Sequence, residues 1–131
     1  MLLLISACGV RSLSIPEELD RMKAAVVRAW SPAPGKILVQ AIDGSSTQGA
    51  SYVYVAPGEH SITVRWSNEQ AISRFGQLSV KLQSGHYYVV EAEPDGALRT
   101  VLFTLVDKGT NYDEECLLQR TFGREAKGRN C

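Results

Sequence analysis

The sequence predicts an all-β protein, in the main a small antiparallel β-sandwich with a short N-terminal helix. Two segments show the period-two alternation of half-buried strands, Ser61-Ile62-Thr63-Val64-Arg65-Trp66 and Leu78-Ser79-Val80-Lys81-Leu82-Gln83. Four more, residues 37–42, 52–55, 87–92 and 101–106, are apolar on both faces or nearly so, which suits central strands under cover. Asp43-Gly44, Pro57-Gly58, Ser84-Gly85 and Asp95-Gly96 each place a glycine where a turn needs positive φ. Six strands with turns at short intervals argue for a sandwich or small barrel over residues 36–107.

The elements are justified in chain order. Ser14-Ile15-Pro16-Glu17 has the form of a helix start, because Ser14 can accept a backbone amide, Glu17 can reach back, and proline suits a first turn. Leu19, Met22 and Val26 recur at helical spacing, yet Ala24-Ala25-Val26-Val27 ends in two β-branched residues that favour strand. Residues 24–30 therefore stay open between helix and strand. Ser31-Pro32-Ala33-Pro34-Gly35 ends whichever element precedes it. After residue 107, Cys116-Leu117-Leu118-Gln119 can add an edge strand before a tail carrying Arg120, Arg124, Lys127 and Arg129. The expected organisation is thus a signal remnant over 1–8, a linker and short helix over 9–35, a β-sandwich over 36–120 and a basic tail over 121–131.

Composition bounds the function. A chain of 131 residues, 44% hydrophobic and 21% charged, fits one globular domain with a core of useful size. Fourteen basic residues balance fourteen acidic ones, so the positive field that nucleic-acid binding draws on is missing, and no nucleic-acid partner is expected. No enzyme is expected either. His60 and His86 follow turn glycines at strand beginnings and belong to no known catalytic spacing. Asp113-Glu114-Glu115 lacks the alternating ligands and central glycine of a calcium loop, and no Cys-x-x-Cys pair stands near a histidine. No nucleophile elbow, phosphate loop or dinucleotide fingerprint occurs, so catalytic residues, metal and cofactors are all expected to be none.

The N-terminus carries a different signal. Met1-Leu2-Leu3-Leu4-Ile5-Ser6-Ala7-Cys8 has the form of a lipobox, with aliphatic Ile5 and small Ser6 and Ala7 before a cysteine that would carry the lipid. Only seven residues precede Cys8 and none is charged, which departs from a full signal peptide; the other reading is a short buried strand with an ordinary core thiol. If Cys8 takes a lipid, Cys116 and Cys131 remain as a pair for an oxidising compartment. Closing a loop of about 15 residues restricts the unfolded chain by about 3 kcal/mol, and the alternative is two free thiols. The basic tail can meet anionic head groups or simply be solvated.

Ile42-Asp43-Gly44, then Val55-Ala56-Pro57-Gly58-Glu59-His60-Ser61-Ile62-Thr63-Val64, then Leu82-Gln83-Ser84-Gly85-His86-Tyr87-Tyr88-Val89-Val90 carry a likeness across residues 36–107. The order of strands and turns resembles small bacterial surface lipoproteins of unknown function built on a single β-sandwich, and more loosely PEGA-type modules. The resemblance implies a fold and supplies no catalytic residues. Gly9 stands where an aspartate, in similar lipoproteins of enteric bacteria, signals inner-membrane retention, so it implies the outer membrane, facing the periplasm. The expected role is a non-enzymatic, lipid-anchored envelope module that assists assembly. The alternative is a glycan or peptidoglycan binding module, since Tyr52 and Tyr54 share one strand face and offer a possible binding surface. Trp66, on the apolar face with Ile62 and Val64, is expected in the core.

Overall fold

Alternation and turn chemistry set the architecture of the computed structural model, which describes residues 23–112 apart from 33, 34, 49, 51, 71, 97 and 98. The helix expected from Ser14, the segment around Cys8, and Cys116, Cys131 and the basic tail lie outside the described residues. The described residues hold eight strands and no helix: β1 Ala25–Trp30, β2 Lys36–Ile42, β3 Ser45–Ser46, β4 Tyr52–Val55, β5 Gly58–Ser67, β6 Ser73–Leu82, β7 Tyr87–Pro94 and β8 Val101–Asp107. They form two four-stranded sheets, in the orders β4-β1-β7-β8 and β3-β2-β5-β6.

Residues 24–30, open between helix and strand in the sequence, resolve as strand from Ala25 onward. Val26 and Val27 carry branched Cβ atoms that favour the pleat, and both side chains are buried, one on each face. The stretch expected as linker thus supplies a strand lying between β4 and β7. Its pairing also departs from the expected antiparallel pattern: β1 runs antiparallel to β4 but parallel to β7, with Val26 opposite Tyr87 and Trp30 opposite Glu91. A parallel neighbour is possible because five strands separate the two in sequence, leaving ample chain for the crossover.

The inner faces of the sheets share one core. Val27, Val53, Tyr88 and Val90 from the first sheet meet Ile37, Val39, Ile62, Val64 and Trp66 from the second. Trp66 is buried as its alternation predicts, and its indole Nε1 donates to Ser31 Oγ at 3.1 Å, which satisfies the one polar atom of the ring. In β2 the apolar positions change parity, from Ile37 and Val39 to Ile42, because Gln40 is a bulge between the pairs Val39–Val64 and Ala41–Thr63. Buried Thr47 pins that bulge: its hydroxyl donates to Val39 O, and its amide donates to Gln40 O at 3.0 Å.

Asp43 and Gly44 both take positive φ, 51° and 82°, between the paired residues Ile42 and Ser45, so Asp43-Gly44 closes a two-residue hairpin. Gly58 and Gly85 also take positive φ, as expected, but Gly96 does not. That turn is held instead by the Asp95 carboxylate, which accepts from Arg99 N at 2.9 Å and Thr100 Oγ1 at 3.1 Å. A second departure concerns residues 101–106, expected as a covered central strand. β8 is an edge strand whose burial alternates, because its outward residues Leu102 and Thr104 have no described element over them.

Candidate functional site

Four places on the described surface carry side-chain chemistry. The first is a shallow, open depression of about 530 Å³ lined by Asp43, Glu59, His60, Ser61, Ser79, Val80 and Lys81. The β2–β5 register sets Ile42 opposite Ile62, which brings the hairpin aspartate against the start of β5. Asp43 Oδ2 lies 2.6 Å from His60 Nδ1, Asp43 Oδ1 accepts Ser61 N at 2.8 Å, and His60 Nε2 lies 2.7 Å from Ala56 O. A carbonyl and a carboxylate both accept, so the ring makes both bonds only when doubly protonated. His60 thus brackets the Asp43 hairpin and the β4–β5 turn through its two ring nitrogens. The Ser61 hydroxyl accepts from Gln77 Nε2 at 2.8 Å and does not face the imidazole as a nucleophile would.

A second histidine–aspartate pair latches the other sheet. His86 Nδ1 lies 2.9 and 3.0 Å from the two Asp107 oxygens, and its ring stacks on Tyr88 at 6.0 Å between centroids. Asp107 Oδ1 also accepts Gly109 N at 2.8 Å, which ties the end of β8 to the entry of β7. The backbone amide of Ser61 and the His60 ring hold the Asp43 carboxyl below its ordinary range. At Asp107 burial pushes the other way, but hydrogen bonds from His86 and Gly109 and the charge of His86 outweigh it, and the net shift is also down.

A depressed folded-state carboxyl contributes stability above its unfolded value and loses it as pH falls through the folded one. Both latches should therefore weaken from about pH 4 downward. In D43N and D107N the unfolding midpoint should drop at neutral pH and fall less steeply than wild type on further acidification, as followed by circular dichroism. Equal acid slopes in all three proteins would contradict the assignment. Both aspartates are solvent-facing, so the effects are modest beside a core substitution.

The third place is the outer face of the first sheet, where Tyr52 and Tyr54 stand as neighbours of Arg28 and Val26 across β1–β4. The two rings meet edge to face at 5.7 Å. Tyr54 is 6% exposed and Tyr52 half-buried. Farther across the face, Tyr87 is fully buried, accepts from Arg28 Nη1 at 3.1 Å and stacks on Tyr112 at 4.8 Å. Burial pushes the Tyr87 phenol up, against the opposing charge and hydrogen bond of Arg28.

The fourth place is the seam where the edge strands β6 and β8 approach. Gly76 of β6 sits against the Phe103 ring of β8, so close that a Cβ there would overlap it. On either side of this contact stand the two large apolar side chains most exposed among the described residues, Phe75 at 64% and Leu102 at 63%. Outside β6 and outside β8, no further strand pairs among the described residues, so both leave backbone groups of one edge unpaired by the sheets.

The proposed anchor Cys8 and the pair Cys116 and Cys131 lie outside the described residues, as does Asp113-Glu114-Glu115. The described residues contain no group of three potential metal-binding side chains and no helix long and apolar enough to cross a membrane. Sequence reasoning missed both histidine–aspartate pairs, buried Arg28 and exposed Phe75. The signal for Phe75 was present: extending the alternation of 78–83 back to Ser73 puts Phe75 in register with polar Gln77, Ser79 and Lys81. The chain matches no protein-family model, and comparison with curated proteins and with solved structures likewise gives no significant match.

Proposed function

We propose that the chain is a non-enzymatic, lipid-anchored domain of the bacterial cell envelope, held by Cys8 on the periplasmic side of the outer membrane, and that it assists assembly by docking a partner at the β6/β8 seam. The observation that carries this reading is the two unextended strand edges, each beside one exposed apolar side chain on the outer face of its own sheet, Phe75 on β6 and Leu102 on β8. An extended partner segment gains main-chain hydrogen bonds at such an edge and buries apolar side chains beside it. The tyrosine face favours a glycan less, because stacking on a sugar needs accessible ring faces and Tyr54 and Tyr87 are buried.

Pull-down from native membranes with the full-length protein tests the reading in two arms. A Cys8→Ser variant should leave the membrane fraction, and an F75E/L102E variant should stay anchored while losing a co-purifying envelope protein at least tenfold. A wild-type protein that is soluble and unlipidated would remove the anchor. Retention of peptidoglycan or glycan by both wild type and F75E/L102E, with no protein partner, would replace the docking reading with the glycan one.

A further inference from the structure

The two free edges of the seam differ in chemistry. β6 carries Arg74 and Lys81 near its ends, the kind of charge that keeps an edge strand from pairing with another chain, whereas β8 has no charge and no proline from Val101 to Val106. The main chain of β8 is open in a fixed pattern. Lys108 N donates to Tyr87 O at 2.7 Å and Asp95 N donates to Thr100 O at 3.0 Å, one residue beyond each end of the strand, so its even-numbered residues face β7. The amides and carbonyls of Val101, Phe103, Leu105 and Asp107 therefore point to the free side, where no described strand receives them. On the outer face Leu102 is 63% exposed, and Thr104 is exposed beside it.

We propose that the β8 edge pairs antiparallel with β8 of a second copy of this chain, about a two-fold axis through Thr104, so that the β4-β1-β7-β8 sheets of two copies become one continuous sheet. The inference rests on the reading of the seam as a docking surface and names the occupant of one of its edges; β6 and Phe75 stay open to an envelope partner. Symmetry sets the register. A two-fold axis normal to the sheet keeps both cores on the same side, so it must pair residues of equal parity, and centring it on Thr104 engages the whole of β8. Phe103 then faces Leu105 of the second copy and Val101 faces Asp107 of the second copy, which matches free amides to free carbonyls. These pairs exchange about eight main-chain hydrogen bonds, the complement of an interface of about 800–1,600 Å², which reaches the size of specific complexes. Exposed Leu102 is covered by Val106 of the second copy, and Thr104 faces its own counterpart in a non-hydrogen-bonded pair, the closest approach in the ladder. Charge agrees with this register: no like charges stand directly opposite, and Asp107 lies one diagonal step from exposed Arg99 of the second copy.

Light scattering on the purified full-length protein, with any detergent contribution subtracted, should give twice the chain mass. T104K and T104E each set like charges face to face across the axis and should raise the dissociation constant at least about tenfold, with circular dichroism unchanged because Thr104 is exposed. An equimolar mixture of the two variants should recover the dimer, since opposite charges then meet. A monomeric wild type, a dimer indifferent to T104K, or a mixture that stays monomeric would overturn the pairing. Should neither variant fold, hydrogen exchange in the wild type decides: the Phe103 and Leu105 amides should exchange at least about tenfold more slowly than unpaired amides, and free exchange at both would overturn it. Pull-down from native membranes separates this inference from the wider reading. A monomeric wild type that still captures an envelope protein removes the dimer and leaves the seam a docking surface, whereas a wild-type dimer that captures none upholds the β8 pairing and removes the wider reading.

Discussion

Trp66→Ala should lower the unfolding free energy by about 3–5 kcal/mol, the largest loss expected from any single core truncation in the described residues. Trp66 is 2% exposed and heads the inward row of β5 with Val64 and Ile62, so its removal leaves a large void between the sheets. The site cannot easily collapse, because Gly35 lies close enough that a Cβ there would sit 2.8 Å from Trp66 Cε2, and nothing on that side can expand into the space. The Ser31 hydroxyl would lose its indole donor as well. Trp66→Phe separates the contributions, since it keeps much of the apolar volume and gives up the Nε1 hydrogen bond, for about 1–2 kcal/mol. Against a total stability of about 5–15 kcal/mol for a domain of this size, the alanine variant gives up a large fraction of the whole. Urea titration followed by far-ultraviolet circular dichroism measures both, and a loss below about 1 kcal/mol for Trp66→Ala would show that the inter-sheet core does not depend on the indole.

The same residue shows how far local pattern reaches. Ile62, Val64 and Trp66 declare their face by alternation alone, as do Leu78, Val80 and Leu82, and the Asp43-Gly44 hairpin is equally local, because a period of two and a two-residue turn are written within a few neighbouring residues. What escaped depends on register between distant segments. Asp43 meets His60 through the β2–β5 pairing and Asp107 meets His86 through β7–β8, and nothing adjacent to either residue announces its partner. β1 escaped in part for the same reason: Ala25, Val27 and Ala29 form an ordinary inward row, but helical spacing among Leu19, Met22 and Val26 competes with it, and only the pairing with β4 and β7 decides. Arg28 reads as a solvent residue in sequence, since arginine is rarely buried, and its depth follows from the covered second face of the sheet. Leu102 misled in the opposite direction, as an apolar residue in an apolar run that lies on an open edge.

Gly76→Ala should destabilise the fold by about 1–3 kcal/mol through overpacking, and Gly76→Val by more. The position lies mid-strand in β6, where glycine ordinarily weakens a strand and alanine would be the better residue by about 0.5–1 kcal/mol. That gain is unavailable here. An added Cβ would stand 2.6 Å from Phe103 Cε2 and 3.0 Å from Cγ, and the ring cannot move inward because it packs against the buried core. The strain must therefore separate β6 from β8. Phe103→Leu should cost something alone by reducing packing, yet in combination with Gly76→Ala it should recover at least half of the alanine penalty, since the smaller side chain vacates the volume the Cβ needs. A thermal-denaturation double-mutant cycle measures this, and strictly additive losses would mean that the two residues are not in contact. The cycle also bears on docking, because Phe75 and Leu102 are chain neighbours of the two residues that set the width of the seam. Gly76→Ala should weaken partner capture while leaving both side chains in place, whereas adding Phe103→Leu should restore capture along with stability.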